Sequence, residues 1–138
     1  MTQQDGSSSS PHLKLGQRGE ELAARHLREK GWEIADRNFR IERGEIDIVA
    51  RREIEDGTAT MVAFVEVKSR QSGDQTAPEL SVTASKRRTI AHVGRVYAAR
   101  HGGGRTGYRF DVIGIDFGND PPKIRHFEGA FDASGNPY

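Results

Sequence analysis

Two strand-like segments either side of a turn constrain this chain more than any other feature. From Gly44 to Arg51 the side chains alternate, with Glu45, Asp47 and Val49 on one face and Ile46, Ile48 and Ala50 on the other. Met61 to Arg70 alternates in the same way, placing Phe64, Glu66 and Lys68 together and Val65 and Val67 opposite. Glu55-Asp56-Gly57 between them is a turn signal, so the two segments are expected to pair as an antiparallel hairpin. Each strand carries charge where a core strand should be apolar. Asp47 lies between Ile46 and Ile48, and Glu66 between Val65 and Val67. Burying a carboxylate is costly unless a cation or hydrogen-bond donors compensate. Lys68, two residues beyond Glu66, emerges on the same face and could be part of that compensation.

The rest of the chain supplies layers for this hairpin. Residues Met1 to Pro11 are polar, serine-rich and without apolar periodicity, and read as a disordered tail. Leu15 to Lys30 has a helical period, with Leu15, Leu22, Ala23 and Leu27 on one side, and Gly31 is placed to stop it. Trp32 to Ile41 reads as a first strand interrupted at Asp36-Arg37-Asn38, and Gln71 to Leu80 as a polar loop. Thr83 can cap a helix over Ala84 to Arg100, ended by Gly102-Gly103-Gly104. Tyr108 to Phe117 and Lys123 to Phe127 complete a five-strand set. The expectation is one α/β domain over residues 12–138, a mixed five-stranded sheet flanked by two helices.

Composition narrows the chemistry. The 138 residues are 34% apolar and 30% charged, with no apolar run near the ~18 residues that cross a bilayer. No membrane partner is expected, and no secretion signal is legible at the N-terminus, so a cytoplasmic location is the default. Cysteine is absent, which excludes disulfides, thiolate metal sites and a cysteine nucleophile. Any metal must be held by oxygen, because the five histidines show no metal-ligand spacing. Net charge is only +1, but Thr83 to Phe110 contains seven basic residues and no acid, while acids gather between Glu42 and Asp56.

Asp47, Glu66 and Lys68 suit a hard divalent cation, Mg2+ or Mn2+. Magnesium takes one or two protein carboxylates, keeps several waters and shares substrate phosphate. It polarises a phosphoryl oxygen and acidifies a bound water, and a neighbouring lysine can orient that water. The plain alternative is a surface ion pair between Glu66 and Lys68, with Asp47 closing a turn. Glu20, at the edge of the first helix's apolar stripe, could reach the sheet as a further ligand. Equally, it could be a first-turn glutamate favoured by the helix dipole. Lys86 shares the second helix's stripe with Ile90, Val93 and Tyr97, and either snorkels to solvent or points at a phosphate. Arg87, Arg88 and Arg95 are candidates for backbone phosphate contact, against a solvated helix face. Arg109 and Asp111 share a strand face, where an internal ion pair comes first and an active-site role second.

The motifs Gly16-Gln-Arg-Gly-Glu20, Arg37-Asn-Phe-Arg40, Gly44-Glu-Ile-Asp-Ile-Val49, Phe64-Val-Glu-Val-Lys-Ser-Arg70, Lys86 and Arg109-Phe-Asp-Val-Ile113 resemble the bacterial YraN-like family. Its members are predicted endonucleases, distant relatives of archaeal Holliday junction resolvases in the PD-(D/E)XK superfamily. The resemblance runs from Gly16 to Ile115. It implies a restriction-endonuclease-like core, in which Asp47, Glu66 and Lys68 match the superfamily's first acid, second acid and lysine, and Glu20 the helix glutamate. Ile46 stands where the superfamily pattern has proline, and Arg52 to Thr60 is longer and more acidic than a tight turn requires.

Together these readings point to a Mg2+- or Mn2+-dependent endonuclease acting on DNA, with branched or repair intermediates as the substrate class. The alternative is a non-catalytic nucleic-acid-binding accessory module of repair, uptake or recombination; a protein adaptor is a third reading. A resolvase needs two centres to cut both strands, which a two-fold homodimer would supply.

Overall fold

A computed structural model describes residues 11–71 and 76–138. The tail expected over residues 1–11 lies outside them except for Pro11, which opens the first helix. That helix, α1 (Pro11–Glu29), starts earlier than its apolar period indicated. It ends where expected: Gly31 adopts φ +92°, and Gly31 and Trp32 donate their N–H groups back to Arg28 and Leu27 carbonyls.

The strands follow as β1 (Glu33–Ile41), β2 (Gly44–Ile54), β3 (Ala59–Arg70), β4 (Thr106–Asp116) and β5 (Lys123–Phe131), with helix α2 (Ala84–His101) between β3 and β4. Their spatial order is also β1-β2-β3-β4-β5. Neighbours pair antiparallel except β3 and β4, which run parallel because α2 carries the chain back across the sheet. This is the expected mixed five-stranded sheet with two flanking helices, the arrangement of a restriction-endonuclease-like core.

The local departures have physical causes. β1 is not broken at Asp36-Arg37-Asn38; the polar run is absorbed by a register shift between Ile34 and Asp36 and by Asn38 at φ +55°. The segment Arg52 to Thr60 is mostly strand. The β2–β3 ladder continues to Ile54↔Ala59, and a single 3-10 turn over Glu55–Gly57 closes it. Thr83 caps α2 as expected, its hydroxyl accepting from the Lys86 N–H at 3.2 Å.

The sheet separates two cores. On one face Ala23, Ala24 and Leu27 of α1 pack with Ile48, Ala50, Ala63, Val65, Ile113 and Ile115. On the other, Ile90, Ala91, Val93 and Tyr97 of α2 pack with Val49, Val62, Phe64, Phe110 and Val112. Gly94 allows this second contact, since a Cβ there would stand 2.8 Å from Phe110 Cε1 and 3.0 Å from Phe64 Cδ2. Strict alternation fails once: Ile46 lies with Val49 in the α2-side core and Ile48 in the other. The switch falls at Asp47.

Candidate metal centre

Asp47 stands where the hairpin opens. The paired residues of β2 and β3 end at Ile48↔Val65, and just beyond them Asp47 Oδ2 accepts from the Val67 N–H at 2.8 Å. A side-chain oxygen thus takes a strand donor, which anchors the carboxylate at the mouth of the sheet. Glu66, one residue before Val67, is only 3% exposed. The alternation expected for β3 holds, with Phe64 in the α2-side core and Val65 and Val67 on the α1 side. Glu66 and Lys68 therefore share the face that looks toward α2. Lys68 Nζ lies 3.7 Å from Glu66 Oε2, and Lys86 Nζ, from the first turn of α2, lies 3.5 Å from the same oxygen.

The Asp47 and Glu66 carboxyl groups adjoin, and each acts on the other's proton affinity. Burial, and then the charge of Asp47, push the Glu66 carboxyl up to about 8, against the opposing pull of Lys86 and Lys68. Asp47 is also raised, by burial, although the Val67 N–H bond resists. Glu20 is lifted to about 7 by burial and then by the Asp47 charge. It reaches across from α1, where Asn38 Nδ2 donates to Glu20 Oε1 at 3.2 Å. The structure thus gathers Glu20, Asp47, Glu66, Lys68 and Lys86. Asp47 adjoins Glu66 and its charge also raises Glu20, a strain that a cation on the Asp47–Glu66 pair would relieve.

The donor set fits a hard cation. Among the described residues no group of three or more His, Asp or Glu side chains is arranged to hold a metal ion, so the candidate rests on the Asp47–Glu66 pair. Two adjoining carboxylates are what an ion that retains waters and shares substrate oxygens takes from a protein. Asp47 and Glu66 would hold Mg2+ or Mn2+, with Glu20 beside them.

The raised Glu66 value has a consequence for stability. A carboxyl whose folded pKa exceeds its ordinary 4.5 favours the folded chain at low pH, and that contribution is lost as pH climbs through about 8. The chelator-treated chain is expected to melt at lower temperature at pH 9 than at pH 6. Glu66→Gln should flatten that fall and stabilise the chain by about 1–3 kcal/mol at pH 8.5. Thermal unfolding across this range checks it, and a native chain equally stable at both ends would refute it.

The other basic residues of α2 divide. Arg87 donates to the Val82 and Gly135 carbonyls, both at 2.9 Å, and Arg95 to the Ala133 carbonyl at 2.6 Å. Both guanidinium groups thus hold the C-terminal segment against the helix. Arg88 is exposed, and its backbone passes close to Gly135, where a Cβ would stand 2.9 Å from the Arg88 nitrogen. Only Lys86 of this group touches the acidic centre. Glu45, which shares Asp47's strand, is taken up by Arg40 at 2.7 Å.

Arg109 and Asp111 form the internal ion pair expected first, on the α1 side of the sheet. Asp111 is fully buried and accepts from Arg109 Nε at 3.0 Å, the Gly129 N–H at 3.0 Å and His126 Nε2 at 2.7 Å. His126 Nδ1 in turn meets His26 Nε2 at 3.3 Å. This histidine chain escaped the sequence reading because its members are 100 residues apart, and no spacing rule links them.

A family model described as "Uncharacterised protein family UPF0102" matches residues 19–115, a span that includes Glu20, Asp47, Glu66, Lys68 and Lys86. A UPF0102 protein of Anaeromyxobacter dehalogenans is 42% identical over 96% of this chain and 94% of its own length. A UPF0102 protein of Geobacter sulfurreducens is 41% identical over 92% of this chain and 95% of its length. One from Rhodococcus jostii is 40% identical, covering 87% and 98%. Among the described residues, no helix is long and apolar enough to cross a membrane.

Proposed function

This chain belongs to the uncharacterised protein family UPF0102, and we propose that it is a metal-dependent endonuclease hydrolysing phosphodiester bonds in DNA, with branched or repair intermediates as substrates. The observation that carries this reading is the buried Glu66 carboxyl beside Asp47, faced by two lysine ammonium groups. An isolated surface ion pair would not bury a glutamate to 3% exposure beside a second acid.

Mg2+ or Mn2+ bound by Asp47 and Glu66 would polarise a phosphoryl oxygen and make a nearby water acidic. The protein's own groups do the rest. Lys68 Nζ lies on the Glu66 face, where it can orient the attacking water and stabilise charge growing on the phosphate. The Glu20 carboxyl, with a proton affinity near neutrality, is suited to receive the proton that water gives up. Lys86 and Arg88 offer cations to flanking phosphates, a contact that reads backbone and not base edges.

The test is a cleavage assay of the native chain on single-stranded, duplex, flapped and four-way DNA, with Mg2+, Mn2+ or chelator. Cleavage is expected with either metal and none with chelator, and the preferred form names the substrate class. DNA binding without cleavage of any form would favour the accessory-module reading instead.

A further inference from the structure

Glu66 Oε2 is claimed twice, and the two claimants differ. Lys68 comes from the same strand as Glu66, and its side chain is 28% exposed. Lys86 reaches in from the rim of α2 on a side chain that is 45% exposed. Both contacts, 3.7 Å and 3.5 Å, are longer than a charge-assisted hydrogen bond, and it is the greater exposure of Lys86 that leaves it the freer to turn away. Lys86 also lines a cleft of about 380 Å³ between the β1–β2 turn and α2, with Arg40, Glu42, Arg43, Gly44, Glu45 and Thr89. The floor of the cleft is tight: a Cβ on Gly44 would stand 2.5 Å from Thr89 Cγ2. Arg43 is exposed at the rim. A lysine that leaves Glu66 therefore has an open cleft to move into, where Arg40 and Glu45 satisfy each other and Arg43 stands as a further cation beside Glu42.

A divalent cation on the same carboxylate oxygen would be repelled by a nearby ammonium group. A flexible lysine relieves that repulsion by turning away, and a phosphate is the partner it would then meet. We propose that Lys86 and the divalent cation exchange places on Glu66, and that the released Lys86 binds a substrate phosphate in the adjoining cleft. Cation and phosphate then strengthen each other's binding through one side chain. Lys86 is a positioning residue in this scheme, and by linkage the coupling is reciprocal. The inference rests on the metal-centre reading above and adds to it an order of events that neither ligand alone would produce.

The experiment measures Mn2+ affinity by calorimetry or electron paramagnetic resonance, with and without a phosphorothioate-linked oligothymidylate. The native chain, Lys86→Met, Lys86→Arg and Glu66→Gln are compared. Lys86→Met is expected to bind Mn2+ about three- to tenfold more tightly than the native chain when no oligonucleotide is present. The oligonucleotide should tighten Mn2+ binding to the native chain and to Lys86→Arg, and do so much less in Lys86→Met. Unchanged Mn2+ affinity in Lys86→Met, or equal enhancement in all chains, would overturn the exchange. If Glu66→Gln abolishes binding while Lys86→Met has no effect, only the exchange fails. If neither the native chain nor Lys86→Met binds Mn2+, the metal-centre reading fails with it.

Discussion

Asp47→Asn and Lys68→Ala are each expected to lower metal-dependent DNA cleavage by about a thousandfold or more, ~4 kcal/mol of transition-state stabilisation. The fold should survive both. In Asp47→Asn the amide oxygen can still accept from the Val67 N–H that anchors Asp47 at 2.8 Å, and a buried like-charge contact with Glu66 is removed. Lys68 is partly solvated, so its truncation leaves no buried group unpaired beyond what Lys86 still reaches on Glu66 Oε2. The combination to look for is lost turnover with a melting temperature held or raised, which separates a catalytic centre from a structural one. Either variant cutting DNA at the native rate would place the activity elsewhere in the molecule or in a contaminant.

Asp111→Ala should do the opposite, costing about 3–5 kcal/mol of stability. Asp111 is fully buried and accepts from Arg109, His126 and the Gly129 N–H, so its removal takes this acceptor from the buried His126 and from Gly129, and leaves Arg109 with Glu128 as its acidic partner. Asp111→Asn keeps an acceptor of similar shape and should cost less, about 1–3 kcal/mol. Burial alone would raise this carboxyl. The bonds from His126, Gly129 and Arg109 more than reverse that, and it stands below its ordinary value. A depressed carboxyl stabilises the fold above its unfolded pKa and loses that contribution as pH falls through the folded one, so the network should fail only in strong acid. Urea unfolding of the native chain and both variants at neutral pH measures the cost, and an Asp111→Ala chain as stable as native would show the network to be ornamental. The Asp47–Glu66 pair and the Asp111 network are both buried acids on this sheet. They differ because the donors of His126, Gly129 and Arg109 outweigh burial at Asp111, whereas the Val67 N–H does not outweigh it at Asp47.

That contrast separates what is legible along the chain from what is not. Alternation at a period of two specifies which face a strand side chain leaves from, so Glu66 and Lys68 could be placed together without coordinates. The hairpin, the Thr83 cap and the Gly31 stop are legible for the same reason: each depends on neighbours within a few residues. Asp47 was found by the same logic although its strand breaks the rule there, with Ile46 and Ile48 in different cores. That switch comes from the hairpin opening to let a side chain take the Val67 N–H, which no residue in β2 announces.

Distances between elements are another matter, because they are decided by packing. A basic run on α2 reads as one surface, yet Lys86 turns to Glu66 while Arg87 and Arg95 are taken by carbonyls of Gly135 and Ala133. Whether a guanidinium is free for phosphate depends on where the C-terminal segment lies, 38 to 48 residues further along. The same holds for His26 and His126, which meet only in the folded chain, and for Glu20, whose proton affinity is raised by burial and then by the Asp47 charge. Sequence periodicity assigns faces; only the packed layers assign partners, since burial and the charges around a group are properties of the assembled fold.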